Sequence, residues 1–375
     1  MRRDARRTAR ETLGRERELA GQAQPASGVG LKRNVTRGCA EVALEFPYPV
    51  MVCDIGGTNV RIAATAAPGA DLVQLARLKT RAFAGLAECI EHALAGRPEL
   101  RPHSVLACGA GPVSNRRLHL TNAPWSIDGP ALAHRLGLTQ GLLFNDFEAQ
   151  ALALPAYRSS WIRRIGPDTP EHRGVRLILG PGTGLGVASL VETDGRFLPL
   201  ASEAGHIGFG PADAEDERVW PYLERFHGRI TAESVISGPG LARLHHARQQ
   251  AAGGRDAALD GVALVARAHD DRAGPEAASI AHFWRLAGRL AGDMALAFLA
   301  RGGVTLAGGI LPRVVDLLDE RAFRAAFEDK APLDDVVRQI ETRLLVADDA
   351  VLAGMAAIAA RPDRYKLDYA ERAWR

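Results

Sequence analysis

The chain has 375 residues, of which 47% are hydrophobic and 24% charged, a composition typical of a folded globular protein. No apolar run reaches the roughly 18 residues that a membrane-spanning helix needs, so we expect no membrane association. The net charge of +3 arises in residues 1–45, which carry ten Lys/Arg and six Asp/Glu, and the remainder has a net charge of −1. This balance provides no basic surface for nucleic acid.

Residues 1–45 are expected to form a basic, disordered extension that precedes the folded part. Their arginine-rich sequence contains no apolar segment of the kind found in secretory signals, so we expect a cytoplasmic protein. The cysteines show no CxxC pair and no metal-site spacing with histidine. They are therefore predicted to be reduced thiols.

From residue 50 onward, predicted strands and helices are interspersed, which indicates an α/β fold. In the first half the predicted strands are 50–55, 59–65, 71–80, 104–111 and 142–145, and the predicted helices are 85–94 and 148–154. In the second half the predicted strands are 175–180, 186–192, 195–201, 303–309 and 343–348, and the predicted helices are 214–227, 258–269, 278–300, 311–320 and 350–360.

Both halves open with a strand, a glycine-rich turn containing threonine, and a second strand. The two sequences are CDIGGTNVRIAA (53–64) and LGPGTGLGVASL (179–190). We interpret this similarity as an internal duplication that produces two α/β lobes. The boundaries are predicted as a small lobe of residues 46–156, joined by a C-terminal helix at 349–361, and a large lobe of residues 157–348.

Glycine-rich turns of this kind bring backbone N–H groups together and can bind phosphate. A single Gly-Gly turn is weak evidence because such dipeptides are common in tight hairpins. Two turns at equivalent places are stronger, since each could bind one part of a phosphate chain. The sequence contains neither GxGxxG nor Gly-Lys, so a dinucleotide fingerprint and a Walker A loop are both excluded.

The segment FNDFEA (144–149) places Asp146 between a predicted strand and a predicted helix. An aspartate there can cap the helix N-terminus. It can also contact a bound ligand, because open α/β sheets bind ligands at the carboxyl ends of their strands. The local sequence leaves both roles open.

Several ordered motifs resemble those of the bacterial ATP-dependent glucokinases, over about residues 48–360. DIGGTNVRIA (54–63) and GPGTGLGVASLV (180–191) resemble the two phosphate motifs, and LAGGILPR (306–313) resembles the adenosine motif. The motifs that resemble sugar-binding motifs are LTNAPW (120–125), FNDFEA (144–149), EAGHIGFGP (203–211) and AESVISGPGL (232–241). The resemblance implies the actin-like ATPase fold, with two ribonuclease H-like α/β lobes and a cleft between them.

The resemblance further implies transfer of a phosphoryl group from ATP to the 6-hydroxyl of glucose, with Asp146 as the catalytic base and a homodimer as the assembly. The implied sugar ligands are Asn122, Asn145, Asp146, Glu203, His206 and Glu233. The implied ATP-binding residues are Asp54, Gly56, Gly57, Thr58, Asn59, Gly182, Thr183, Gly184, Gly308 and Gly309. Asp54 is expected near the Mg²⁺ that accompanies ATP, with contact through water.

His206 has a second possible role, because a related repressor–kinase family uses the histidine of EAGH to bind structural zinc together with downstream cysteines. Here no cysteine follows Cys108, so no structural zinc is expected and His206 is interpreted as a sugar ligand. Ala204 stands where the glucokinase pattern has a second glycine, which could alter sugar specificity.

Two alternatives to the ATP-dependent enzyme stay open on sequence alone. The basic N-terminal segment and the dual use of this superfamily are compatible with a hexose-sensing regulator without turnover. A kinase with ADP or polyphosphate as the donor is also compatible with the motifs.

Overall fold

The computed structural model of the protein describes residues 45–121, 123–170, 172–254 and 259–374. The predicted N-terminal extension lies almost entirely outside the described residues, and Asn122 also lies outside them. Within the described residues, no helix is both long and apolar enough to cross a membrane.

The described residues form fifteen strands and twelve α-helices. The strands are β1 (Val50–Ile55), β2 (Asn59–Thr65), β3 (Val73–Lys79), β4 (Ser104–Gly109), β5 (Val113–Ser114), β6 (Arg117–His119), β7 (Ser126–Asp128), β8 (Gln140–Asn145), β9 (Ile162–Ile165), β10 (Arg176–Pro181), β11 (Leu185–Thr193), β12 (Arg196–Ser202), β13 (Val304–Leu306), β14 (Thr342–Leu345) and β15 (Ala373–Trp374). The helices are α1 (Leu86–Leu94), α2 (Gly129–Leu136), α3 (Asp146–Ala153), α4 (Ala214–Val219), α5 (Ala232–Val235), α6 (Gly238–Ala251), α7 (Gly261–Asp270), α8 (Pro275–Ala297), α9 (Glu320–Glu328), α10 (Asp334–Arg338), α11 (Ala350–Ala360) and α12 (Tyr369–Arg372).

Two six-stranded sheets share one topology. The first has the strand order β3–β2–β1–β4–β8–β15 and the second has the order β12–β11–β10–β13–β14–β9. In each sheet the first three strands form an antiparallel meander, the next two are parallel to the first strand, and an antiparallel strand closes the edge. The repeated order confirms the predicted α/β fold and its internal duplication.

Helices α3 and α11 connect the cores of the two sheets. One buried hydrophobic cluster combines Val52 of β1 and Ile178 of β10 with Leu152 of α3 and Met355 of α11. The two helices approach closely, since a Cβ added at Gly354 would lie 2.1 Å from the Cβ of Ala153. Helix α3 is therefore packed rigidly between the two sheets, and its N-terminus has a fixed position.

Two predicted helices are wrong in extent or in kind. The helix predicted at 214–227 ends at Val219, because Pro221 lies in a following 3₁₀ turn and cannot continue the α-helix. Residues 311–320 form two short 3₁₀ turns up to Leu317, and the α-helix after them starts only at Glu320. Here the carbonyl of Val314 accepts a hydrogen bond from the indole Nε1 of buried Trp284 (3.1 Å) instead of serving a regular helix.

Candidate active site

The N-terminus of α3 separates the two roles considered for Asp146. The helix is capped by the neighbouring residue Asn145, whose Oδ1 accepts hydrogen bonds from the N–H groups of Phe147 (3.0 Å) and Glu148 (3.2 Å). The Asn145 Nδ2 donates to the carbonyl of Gly111 (3.2 Å), so one amide hydrogen is left for a ligand. Because Asn145 supplies the cap, the carboxylate of Asp146 is not needed for it.

The environment of Asp146 favours its protonated form. Burial is the largest cause and, together with the negative charges of Asp54 and Glu203, raises the pKa of Asp146 to about 6, although the Phe147 N–H that donates to Oδ1 (2.9 Å) acts in the opposite direction. A carboxylate with a pKa near 6 is largely ionised at neutral pH and still has a raised affinity for a proton. Asp146 therefore has the properties of a general base.

Asp54 lies at the end of β1 and is bound on both of its oxygens. Arg61 Nε donates to Oδ2 (3.0 Å), and the Cys108 thiol donates to Oδ1 (3.4 Å). Arg61 also lies 3.6 Å from Oδ1 of Asp349, at the residue before α11. Protein donors thus engage both oxygens of the Asp54 carboxylate, and its contact with Mg²⁺ through water stays a prediction.

The sequence interpretation missed Arg61 and Cys108. Both could have been found from the strand register, because Asp54 pairs directly with Arg61 in β2 and with Cys108 in β4. Residues directly opposite each other in neighbouring strands lie on the same face of the sheet.

The first glycine turn joins β1 to β2 and is closed by its own backbone. The N–H of Gly56 donates to the carbonyl of Asn59 (2.9 Å), and Thr80 Oγ1 donates to the carbonyl of Gly56 (2.8 Å). Thr58 is exposed at the tip. The N–H of Gly56 is thus used within the turn, while Gly57 and Thr58 occupy its tip.

The second turn has a similar arrangement and lies directly against Glu233. The N–H of Gly182 donates to the carbonyl of Gly184 (2.8 Å), and Thr183 is exposed at the tip. Glu233 Oε2 accepts from the N–H of Leu185 (2.9 Å) and lies 2.5 Å from the position of a Cβ added at Gly184. A residue predicted for sugar and a turn predicted for phosphate are therefore in contact.

The adenosine-like motif lies beside the second turn because of Gly308. This residue has φ +90°, and a Cβ there would lie 2.3 Å from the carbonyl oxygen of Pro181. Only glycine therefore allows these two backbone segments to approach each other. A Cβ at Gly309 would meet nothing within 4 Å. Gly308 thus brings the backbone of the adenosine-like motif close to the second turn, and Gly309 leaves an open surface beside it.

Glu203 precedes a short 3₁₀ helix, Ala204–His206, which His206 ends, and both side chains are exposed. Gly205 between them is held against the second turn, since a Cβ there would lie 2.2 Å from the carbonyl oxygen of Leu185. Ala204 is buried in the core below the second sheet.

The arrangement brings together most of the residues that the sequence indicated. The charges of Asp54 and Glu203 both act on Asp146, and Glu233 contacts the second turn. Asn122 lies outside the described residues. Among the described residues there is no group of three or more His, Cys, Asp or Glu side chains that could hold a metal ion.

Comparison with known proteins identifies the family of the chain. The sequence matches the glucokinase family model over residues 51–362. It is 40% identical over 332 residues to a glucokinase of Sinorhizobium fredii, covering 88% of this chain and 97% of that one. It is 39% identical over 331 residues to a glucokinase of Brucella suis, covering 88% of this chain and 96% of that one.

Among solved structures, a glucokinase from an Antarctic psychrotroph superimposes with a TM-score of 0.73 at 31% identity, covering 83% of this chain and 98% of that one. A glucokinase from Balamuthia mandrillaris, solved in complex with glucose, has a TM-score of 0.71 at 22% identity, covering 83% and 93% of the two chains, and shows the shared fold. The chain belongs to the glucokinase family.

Proposed function

We propose that the protein transfers the γ-phosphoryl group of ATP to the 6-hydroxyl of glucose, giving glucose 6-phosphate and ADP. The observation that carries the proposal is Asp146, whose carboxylate has a pKa raised to about 6 and lies next to the helix cap that Asn145 supplies. Phosphoryl transfer needs a positioned hydroxyl, a bound phosphate chain and a proton acceptor.

In the proposed mechanism, ionised Asp146 accepts the proton of the sugar 6-hydroxyl. Its Oδ1 already accepts from the Phe147 N–H, which leaves Oδ2 for the substrate. As the sugar oxygen forms its bond to the γ-phosphorus, the bond to the β-phosphate oxygen breaks and ADP leaves. Such positioned proton transfer contributes about 10²–10⁴ in rate.

The sugar hydroxyls would be bound by the remaining amide, carboxylate and imidazole groups. We assign this role to Asn122, Asn145, Glu203, His206 and Glu233. Glu233 would bind a hydroxyl through the oxygen that does not accept from Leu185. A site of this kind rejects a sugar that lacks one hydroxyl, because a buried polar group would then lose its partner.

MgATP would bind between the two glycine turns. The N–H groups of Gly57 and Gly184 and the exposed hydroxyls of Thr58 and Thr183 would contact phosphate, because the N–H groups of Gly56 and Gly182 are used inside the turns. Asp54 would reach the magnesium through water, Asn59 would complete the first turn, and adenosine would lie over Gly308 and Gly309.

Closure of two lobes would exclude water from the reacting groups. We place the lobes at residues 46–156, with the helix at 349–361, and at residues 157–348. The homodimer and the cytoplasmic location stay predictions, and the proposed reaction would belong to glycolysis.

The experiment is a coupled assay in which glucose 6-phosphate dehydrogenase reports the product as NADPH. We expect a signal that requires glucose, ATP and Mg²⁺ together and that disappears in Asp146→Ala. ADP, polyphosphate and hexoses altered at C2 are tested in the same assay. Glucose binding without turnover by folded protein, with every donor, would contradict the proposal and favour the hexose-sensing alternative.

A further inference from the structure

A buried ion cluster lies outside the residues proposed to contact substrate. Its centre is Asp216 in α4, which is fully buried. Three side chains of α8 reach this carboxylate at 2.8 Å each: His282 Nε2, Arg285 Nη2 and Arg289 Nη1. We call these four residues the Asp216 cluster. Their spacing along α8 places the three partners on one helical face.

The hydrogen bonds of the cluster define its donors and acceptors. Arg248 Nη1 lies 2.8 Å from His282 Nδ1, and a guanidinium can only donate, so Nδ1 accepts and the hydrogen that reaches Asp216 lies on Nε2. Burial alone would raise the pKa of Asp216, but the His282 hydrogen bond, the Ala212 N–H and the charge of Arg285 lower it to about 2. Asp216 is therefore a buried anion with fixed partners.

The cluster holds residues 207–212, which follow Glu203 and His206. Arg289 Nη2 donates to the carbonyl of Gly210 (2.6 Å), and the guanidinium lies 3.9 Å from the ring centroid of Phe209. Asp216 Oδ2 accepts from the N–H of Ala212 (3.0 Å), and Trp220 Nε1 donates to the carbonyl of Phe209 (3.1 Å).

The held segment also carries the strand-like contact that places Glu233. The N–H of Phe209 donates to the carbonyl of Ile230 (3.0 Å), and the N–H of Ala232 donates to the carbonyl of Ile207 (3.1 Å). Ala232 directly precedes Glu233. Three of the residues assigned to sugar, Glu203, His206 and Glu233, therefore belong to two segments that are joined to each other and fixed to α8 by Arg289 and Asp216.

Buried ion pairs add little net stability compared with well-packed apolar residues. The need to hold residues 207–212 in one position explains the four polar side chains of the Asp216 cluster better than a gain in stability does. We propose that Asp216 and Arg289 are positioning residues for glucose, which act by holding residues 207–212 and through them Glu203, His206 and Glu233. This inference rests on the proposed function, and it concerns the sugar side of the site rather than the ATP side.

Arg289→Met tests the proposal, since methionine retains buried volume but loses the bonds to Asp216 and Gly210. Arg324→Met is the matched control. Arg324 is also buried, pairs with Glu328 (2.6 Å), donates to the carbonyl of Ile340 (3.0 Å) and lies 4.7 Å from the Phe327 ring centroid. None of these control partners belongs to the residues assigned to substrate.

We expect Arg289→Met to raise the KM for glucose at least about tenfold, with kcat and the KM for ATP changed by less than about threefold. Arg324→Met should leave both KM values within about threefold of wild type, even if its Tm falls by as much as that of Arg289→Met. Arg289→Lys retains the charge and can make one of the two bonds, so its glucose KM should lie between those of wild type and Arg289→Met.

Equal changes in glucose KM for the Arg289 and Arg324 variants, or an unchanged glucose KM in both Arg289 variants, would overturn the proposal. If Arg289→Met does not fold, Arg289→Lys decides by the same criterion. Calorimetric titration with glucose separates the proposed phosphoryl transfer from the proposed positioning role. Wild-type protein that binds glucose without turnover refutes the activity alone, and the glucose Kd values of the variants then test the positioning role.

Discussion

The ring of Phe147 occupies the space that a side chain at Gly186 would need, since a Cβ there would lie 1.9 Å from the ring. Phe147 directly follows Asp146 in α3, and Gly186 lies in β11, just after the second glycine turn. The contact joins the proposed base to the strand that carries one of the proposed phosphate turns. It therefore fixes the distance between the proposed base and the proposed phosphate-binding turn.

Gly186→Ala should displace Phe147 and with it Asp146. We expect kcat to fall about 10–100-fold, because a displacement on the order of 1 Å in a reacting group has an effect of this size. The measurement is steady-state kinetics with glucose and ATP. Combining the change with Phe147→Leu, which removes part of the ring, should recover part of the rate.

Gly85→Ala is the control for this substitution. Gly85 has an extended backbone, and a Cβ there would meet nothing within 4 Å. A wild-type kcat in Gly186→Ala, with folding confirmed, would show that the contact between Phe147 and Gly186 does not position the base.

Asp146→Asn should lose activity and gain stability. The pKa of Asp146 in the folded protein is raised to about 6, so the folded state binds the proton more tightly than the unfolded chain does. Stability from this group is therefore present at low pH and lost as pH rises from about 4 to 6. The neutral amide avoids that loss.

Urea unfolding at pH 7.5 should show the asparagine variant to be more stable by about 1–3 kcal/mol, from a shift of about two pKa units. Near pH 4 the gain should vanish, because wild-type Asp146 is then protonated. Turnover at pH 7.5 should fall about 10²–10⁴-fold. A variant that is inactive and no more stable at pH 7.5 would contradict the raised pKa.

The pH profile of kcat/KM for glucose reports the same group in the free enzyme. We expect the value to fall tenfold per pH unit below about pH 6, because protonated Asp146 cannot accept the hydroxyl proton. The negative charge of Glu203 contributes to the raised pKa, so Glu203→Gln should move this fall to lower pH. Glu192→Gln, at an exposed position, is the control and should leave the profile in place. A profile that does not depend on pH between 5 and 7 would exclude Asp146 as the base.

Local patterns predicted the strands best. The apolar run before each glycine turn identified β1 within its observed bounds and β10 to within one residue, because a buried strand followed by a tight turn has a distinct sequence signal. The repeat of that signal also predicted the duplicated topology. The motifs indicated Asp146, but the neighbouring Asn145 can cap a helix equally well, and only the observed hydrogen bonds assign the cap.

Long-range contacts decided what the sequence did not reveal. Residues 311–320 have an apolar pattern compatible with a helix, yet a bond from Trp284 engages their backbone. The link between Arg289 and Gly210 likewise joins elements that are far apart in sequence, and no local spacing indicates it. The C-terminal strand β15 lies beyond the resemblance and was not predicted at all.

Trp374 in this strand should contribute strongly to stability. It is 3% exposed, and it lies where a Cβ at Gly129 or Gly141 would be 2.3 Å or 2.0 Å from its ring. Strand β15 pairs with β8, which leads into Asp146, and Arg372 Nη1 donates to Glu148 Oε1 (2.6 Å) in α3. The C-terminal segment thus covers the edge of the first sheet next to the proposed base.

We expect Trp374→Ala to lower the free energy of unfolding by about 3–5 kcal/mol, as for other buried tryptophans. Leu299→Ala, at a position that is 50% exposed, should change it by less than about 0.5 kcal/mol. Urea unfolding of both variants measures the difference. If the two variants are equally stable, β15 does not hold the edge of the first sheet in solution, and α3 must derive its position from α11 and from the contact of Phe147 with Gly186 alone.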